Sequence, residues 1–219
     1  MRFVLIVEYD GTNYHGFQYQ KNFSSIQGEL EKAVTRLTNE SPRVNGAGRT
    51  DAGVHAAGQV VAFDVSDSRV PEDLVNGLNF YLPQDISVKA AYRADSDFDP
   101  RRMALSRRYR YTLLRGRSPS PLNRFTAYHI RERLSVQKMR QAAKKFEGKH
   151  DFACFASAGG DFRSCTVREI YEVEVHRDGD LVCFDVEGNA FLPRQVRRMV
   201  GALIEVGVGR MSMSELISM

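Results

Sequence analysis

The sequence predicts an α+β fold in two halves that meet near residue 105. Three observations carry this prediction. Strand-like apolar runs alternate with amphipathic helical stretches along the chain, and that series runs twice without an exact internal repeat. A composition of 42% hydrophobic and 26% charged residues supplies material for packed cores, and it excludes disordered, collagen-like and low-complexity classes. At 219 residues the chain accommodates one large domain or two small ones, here read as 1–104 and 105–219.

The elements follow in order. Arg2 to Glu8 reads as a buried strand, because five consecutive apolar residues end at the turn signal Asp10-Gly11-Thr12-Asn13. Ser25 to Thr38 reads as a helix: Ile26, Leu30, Ala33, Val34 and Leu37 fall at three- and four-residue steps behind a capping Ser25. Gly58 to Val65 is strand-like, a helix opens at Pro71 and runs to about Asn79, and Ile86 to Tyr92 is a further strand. The second round has a strand at Tyr109 to Arg115, a loop at Gly116 to Asn123, and a helix at Ser135 to Phe146. It continues with a strand at Val167 to His176, which Asp178-Gly179-Asp180 turns into Leu181 to Val186 as a hairpin. Pro193 to Val208 closes it as an amphipathic helix, Val196, Val200, Leu203 and Ile204 on one side and Arg194, Arg197 and Arg198 elsewhere.

Several classes fall away. No apolar run approaches the roughly 20 residues of a membrane span, since even Met199 to Val208 is interrupted by Glu205, and Phe3 to Val7 lacks the flanks of a signal peptide. Three cysteines, Cys154, Cys165 and Cys183, form no C-x-x-C pair, which argues against a disulfide framework or zinc site and fits a reducing cytoplasm. The five histidines show no ligand spacing, so no catalytic metal is expected, and no serine stands in G-x-S-x-G.

Charge is unevenly distributed. Residues 101–145 hold fourteen Lys and Arg against one acid, Glu132, while the rest of the chain carries 17 basic and 26 acidic side chains. The basic stretch also contains Tyr109, Tyr111, Leu113 and Ile130, so it can contribute to a core rather than trail as a solvated tail. Such a block points to a polyanionic partner, nucleic acid first.

Four segments can carry chemistry. Gly46-Ala47-Gly48-Arg49-Thr50-Asp51-Ala52-Gly53-Val54-His55 puts a cation, a hydroxyl, a carboxylate and an imidazole on one glycine-framed loop. A polar surface turn would share its composition, but Arg49 two residues from Asp51 can orient a carboxylate as a nucleophile or base. In Arg108-Tyr109-Arg110-Tyr111, alternation sets two arginines on one strand face and two rings on the other, either an edge strand with solvated cations or a pairing of phosphate-binding cations with a stacking ring. Arg197 and Arg198 open a helix, where cations oppose the helix dipole and need exposure or an anion. Tyr14-His15-Gly16-Phe17-Gln18 can line a base pocket or pack a loop onto a sheet.

These segments resemble the tRNA pseudouridine synthases that modify the anticodon stem-loop. The resemblance lies in Val7-Glu8-Tyr9-Asp10-Gly11-Thr12 with Tyr14 to Gln18, in Gly46 to His55, in Arg108 to Tyr111, in Asn189-Ala190-Phe191 and in Val196 to Gly201, in family order over nearly the whole chain. It implies two ferredoxin-like (RRM-like) halves, with mainly antiparallel sheets meeting around a basic cleft, and a cofactor-free isomerase acting as a homodimer on tRNA. By the same resemblance Asp51 is the catalytic nucleophile, Tyr109 the ring that packs on the target base and Arg197 the cation paired with Asp51. Arg49 contacts RNA, and Arg108, Arg110, Phe17, Gln18 and His55 join it in substrate binding. Family members continue past the C-terminal helix into another strand, whereas this sequence stops at Met219; the expectation is an exposed neighbouring edge or a shortened form.

Two other readings compete. A non-catalytic RNA-binding module would need only the basic block and the tyrosines. An aspartate-nucleophile phosphohydrolase would also end a strand in Asp10-Gly11-Thr12, but it needs an Asp where Glu8 stands.

Overall fold

The computed structural model describes residues 1–66, 69–156 and 165–219. The chain divides into two compact units, Met1–Ala104 and Leu105–Met219. Each has its own hydrophobic core, and the two cores share no residue.

In the first unit, β1 (Arg2–Tyr9) is the central strand. Its period of two puts Phe3, Leu5, Val7 and Tyr9 into the core. The helix α1 (Ile26–Thr38) begins where Ser25, in extended geometry, accepts a hydrogen bond from the Gly28 N–H at 3.3 Å, and it ends at Asn39, whose φ of 58° leaves the helical region. Ile26, Leu30, Ala33 and Val34 form its buried stripe. A two-residue strand, β2 (Asn45–Gly46), leads into β3 (Ala56–Asp64). Then α2 (Pro71–Tyr81) starts on its proline, and β4 (Ile86–Ala94) follows. The sheet runs β2-β3-β1-β4 with every pairing antiparallel. A βαββαβ chain in that strand order is the ferredoxin-like arrangement.

The second unit opens with β5 (Arg107–Arg115) and β6 (Tyr128–Ile130). Next come α3 (Val136–Ala143) and a 3-10 turn at Lys144–Phe146. Then follow β7 (Gly148–Asp151), β8 (Val167–Asp178) and β9 (Leu181–Gly188), and finally α4 (Gln195–Val208) and α5 (Met213–Ile217). The sheet order is β6-β5-β9-β8-β7, antiparallel except for β5 with β6. The sequence β5-α3-β8-β9-α4, with β9 between β5 and β8, repeats β1-α1-β2-β3-α2 of the first unit, without a described counterpart of β4. Among the described residues β6 pairs only Leu113 to Arg115 of β5, so Arg107 to Thr112 have a strand neighbour on the β9 side alone.

The architecture is α+β with two mainly antiparallel sheets, as expected, and the differences lie at ends and in short pieces. The final helix starts at Gln195 rather than Pro193, because Arg194 adopts a left-handed conformation with φ of 62°. The helix expected to reach Phe146 tightens into its 3-10 turn after Ala143. Strands β2, β6 and β7 and helix α5 were not foreseen.

Candidate active site

The loop between β2 and β3 carries Asp51, and main-chain contacts give it its shape. A β-carbon on Gly11 would stand 2.0 Å from the Val54 carbonyl oxygen, and one on Gly16 would stand 2.7 Å from that of Thr50, so only glycine permits these approaches. Gly16 and Gly53 take φ of 92° and 76°, which favour glycine as well. Two backbone hydrogen bonds lace the segments together: Phe17 N–H to the Thr50 carbonyl at 3.1 Å and Gly53 N–H to the Tyr14 carbonyl at 3.3 Å. Beneath them the Tyr9 and Thr50 hydroxyls share a hydrogen bond of 2.8 Å, which ties the loop to the central strand β1.

On this frame Asp51 is exposed, and among the described residues its carboxylate has no hydrogen-bond or ion-pair partner; the same holds for the Arg49 guanidinium. From the sequence alone, Arg49 can orient the Asp51 carboxylate. That pairing is not formed, and the backbone positions the aspartate instead. His55 stabilises the loop base: its Nδ1 lies 2.9 Å from an Asp10 oxygen and 3.2 Å from the Gly11 nitrogen. The Thr12 hydroxyl and N–H, with His55 adding less, hold the Asp10 carboxyl below its usual range. Phe17 is 3% exposed and packs under Gly46, so it belongs to the core more than to a contact surface, whereas Gln18 is exposed. Glu8, the residue a phosphohydrolase would need, is exposed and pairs with Lys89 at 3.1 Å.

The other expected residues belong to the second unit. Alternation along β5 holds: Arg108 and Arg110 share one face, opposite Glu187 and Asp185 of β9. Arg110 grips the buried Asp185 with two hydrogen bonds of 2.8 Å, and Arg108 stands 3.9 Å from the same carboxylate. The Arg110 hydrogen bonds hold the Asp185 carboxyl well below its ordinary range, although burial pushes it the other way. Tyr109 meets Phe191 edge to face, with centroids 5.1 Å apart. Arg197, in the first turn of α4, is exposed. It lines a cavity of about 470 Å³ together with Tyr111, Tyr128 and Arg131. Tyr109 is not on that wall; burial raises the Tyr111 phenol, and the charge of Arg197 partly offsets it.

Sequence reasoning also missed a recess of about 280 Å³ in the first unit, where Arg2, Arg43, Arg49 and Arg101 meet. These arginines are spread over a hundred residues of chain, and no local pattern links them. Among the described residues one trio, Glu174, His176 and Asp185, brings metal-ligand atoms within 4.8 Å of one another. Arg110 already engages both Asp185 oxygens, so a bound cation would sit against two guanidinium groups and the trio does not suit a metal. Among the described residues no helix is long and apolar enough to cross a membrane.

Comparison with known proteins bears on the whole chain. Residues 5–101 and 142–219 match the family model described as tRNA pseudouridine synthase. A tRNA pseudouridine synthase A of Geobacter sulfurreducens is 46% identical over 215 residues, 98% of this chain and 88% of its own. Its counterparts from Acetivibrio thermocellus and Pseudothermotoga lettingae are 43% and 45% identical, over 97% and 95% of this chain and 86% and 85% of theirs. Among solved structures, a Cbf5-Nop10-Gar1 complex aligns at 14% identity with a TM-score of 0.40, over 93% of this chain and 54% of that one.

Proposed function

Because the chain belongs to the tRNA pseudouridine synthase family, we propose that it isomerises uridine to pseudouridine in the anticodon stem-loop of tRNA, with Asp51 as the nucleophile. The observation that carries this reading is Asp51 itself: an exposed carboxylate, without a partner among the described residues, on a loop whose shape does not depend on it. In the reaction the bond from C1′ to N1 breaks, the uracil turns, and a bond from C1′ to C5 forms. The proton on C5 is released and N1 takes one up. A carboxylate can attack the nucleoside without a metal to activate it.

The target must first leave the base stack, at a cost of a few kcal/mol. Stacking on an aromatic ring offsets about 1–3 kcal/mol of that. Tyr109 is assigned as this ring, and Arg197 as the positive charge that serves the reaction from the second unit. Arg49, Gln18 and Arg108 are assigned to the RNA. Arg110, engaged by Asp185, acts through its charge and by holding β5 to β9. Phe17 and His55 support the loop from below. The enzyme works as a homodimer in the cytoplasm, where its three free thiols persist.

Tritium release from tRNA labelled at uracil C5 tests the assignment. Asp51→Ala is expected to abolish release while tRNA affinity stays within about threefold, since the loop does not need the side chain. Normal turnover by the variant would sink the mechanism. Tight binding without turnover by the unaltered protein would leave a non-catalytic RNA-binding module.

A further inference from the structure

The recess beside the Asp51 loop includes Gln18 and Arg49, already assigned to the RNA, but Arg43 and Arg101 in its lining have no role in the scheme above. Its floor includes the buried Phe17, and its rim carries Arg43, Arg49 and Arg101. The first unit is acidic on balance, with 11 basic and 14 acidic residues, yet four of its arginines converge here. Among the described residues the one carboxylate on the wall is Asp99, and one of its oxygens is engaged by the backbone N–H groups of Arg101 and Arg102 at 2.8 and 3.0 Å. Arg2 is held by Asp64 at 2.8 Å. Arg43 keeps a long contact of 3.3 Å with Glu31 and lies over the Tyr19 ring, 5.1 Å from its centroid, which leaves part of its fork available.

We infer that Arg43, Arg49 and Arg101 bind a backbone phosphate of the RNA strand beside the nucleotide on which Asp51 acts. This rests on the RNA-modifying reading above. A planar guanidinium presents paired donors that match a phosphate's oxygens, and several around one concavity favour an anion over a base edge. The volume supports a group of a bound strand rather than a separate molecule, because sites that enclose a whole organic ligand usually span about 300–1,000 Å³. Arg49 lies two residues from Asp51 in the chain, so the recess fixes the strand next to the reacting nucleotide.

The test uses the full chain and one defined tRNA, with affinity measured over a salt series and tritium release followed at saturating enzyme. The double variant Arg43→Gln/Arg101→Gln is expected to bind about tenfold more weakly, and its slope of log affinity against log salt is expected to fall by about 0.7–1, the share of one phosphate. The rate at saturation should stay within about threefold. One methylphosphonate flanking the target uridine should weaken the unaltered protein about tenfold and the double variant no further. If the double variant melts early, the lysine substitutions Arg43→Lys and Arg101→Lys take its place; they keep the charge but lose the fork, and are expected to weaken binding with the slope retained. Unchanged affinity and slope, with turnover intact, would overturn the recess and spare the isomerase. The expected binding response without tritium release would do the reverse.

Discussion

At the scale of single residues, the most consequential feature is the contact between Gly11 and Val54. A β-carbon 2.0 Å from a carbonyl oxygen cannot be accommodated without moving one of the two segments. Gly11→Ala is therefore expected to cost about 3 kcal/mol and to displace Asp51, so that melting temperature and tritium release fall together; retention of both would show that the contact is unimportant. Asp185 gives a second residue-scale prediction. Its carboxyl titrates lower in the folded protein, chiefly through Arg110. The stability it adds is therefore fully present above its unfolded value of about 3.9 and is lost as pH falls through the folded value. Asp185→Asn should be about 1 kcal/mol less stable at neutral pH, because Arg110 is more than half exposed and rehydrates. Urea midpoints of the two proteins should converge below about pH 4, whereas a gap independent of pH would refute the assignment. Neither feature was legible beforehand: Arg110 and Asp185 are 75 residues apart, and nothing near Gly11 announces that Val54 will lie against it.

At the scale of elements, legibility followed length and burial. β1, α1 and the β8–β9 hairpin are readable because burial and turn chemistry leave local marks: an unbroken apolar run in β1, three- and four-residue steps in α1, and Asp178-Gly179-Asp180 between two strands. Gly148 to Asp151 of β7 are all exposed and carry no such period, and Asn45–Gly46 of β2 is a strand only by virtue of its pairing with Val61 and Ala62. The candidate site divides the same way. The glycine-framed Asp51 loop stood out locally, whereas the arginine recess exists only once Arg2, Arg43 and Arg101 are folded together. Capping is where element stability can be tested most simply. Ser25→Ala removes the acceptor for the Gly28 N–H and is expected to cost about 1 kcal/mol, read as a lower urea midpoint with an unchanged slope. An unchanged midpoint would mean that the cap contributes nothing.

At the scale of the whole molecule, two cores with no residue in common imply two units of cooperativity. Leu203, fully buried in α4, belongs to the second core. Leu203→Ala is expected to cost that unit about 2–5 kcal/mol. Amide exchange in β5 and β9 should quicken by orders of magnitude while β1 and β3 keep their protection. Equal acceleration in both sheets would mean that the chain unfolds as one body. Charge is partitioned along the same division: the second unit holds 20 basic and 13 acidic residues, the first 11 and 14. The basic character read from the sequence thus resides mostly in one unit, and Asp51, the proposed nucleophile, in the other.

The main chain, through Gly11, Gly16 and Gly53, shapes the Asp51 loop without help from the side chain it displays. Loop frame and displayed carboxylate are therefore separable. The aspartate can be exchanged without rebuilding its mount, and an Asp51→Asn protein should serve as a decoy that captures its RNA and never consumes it.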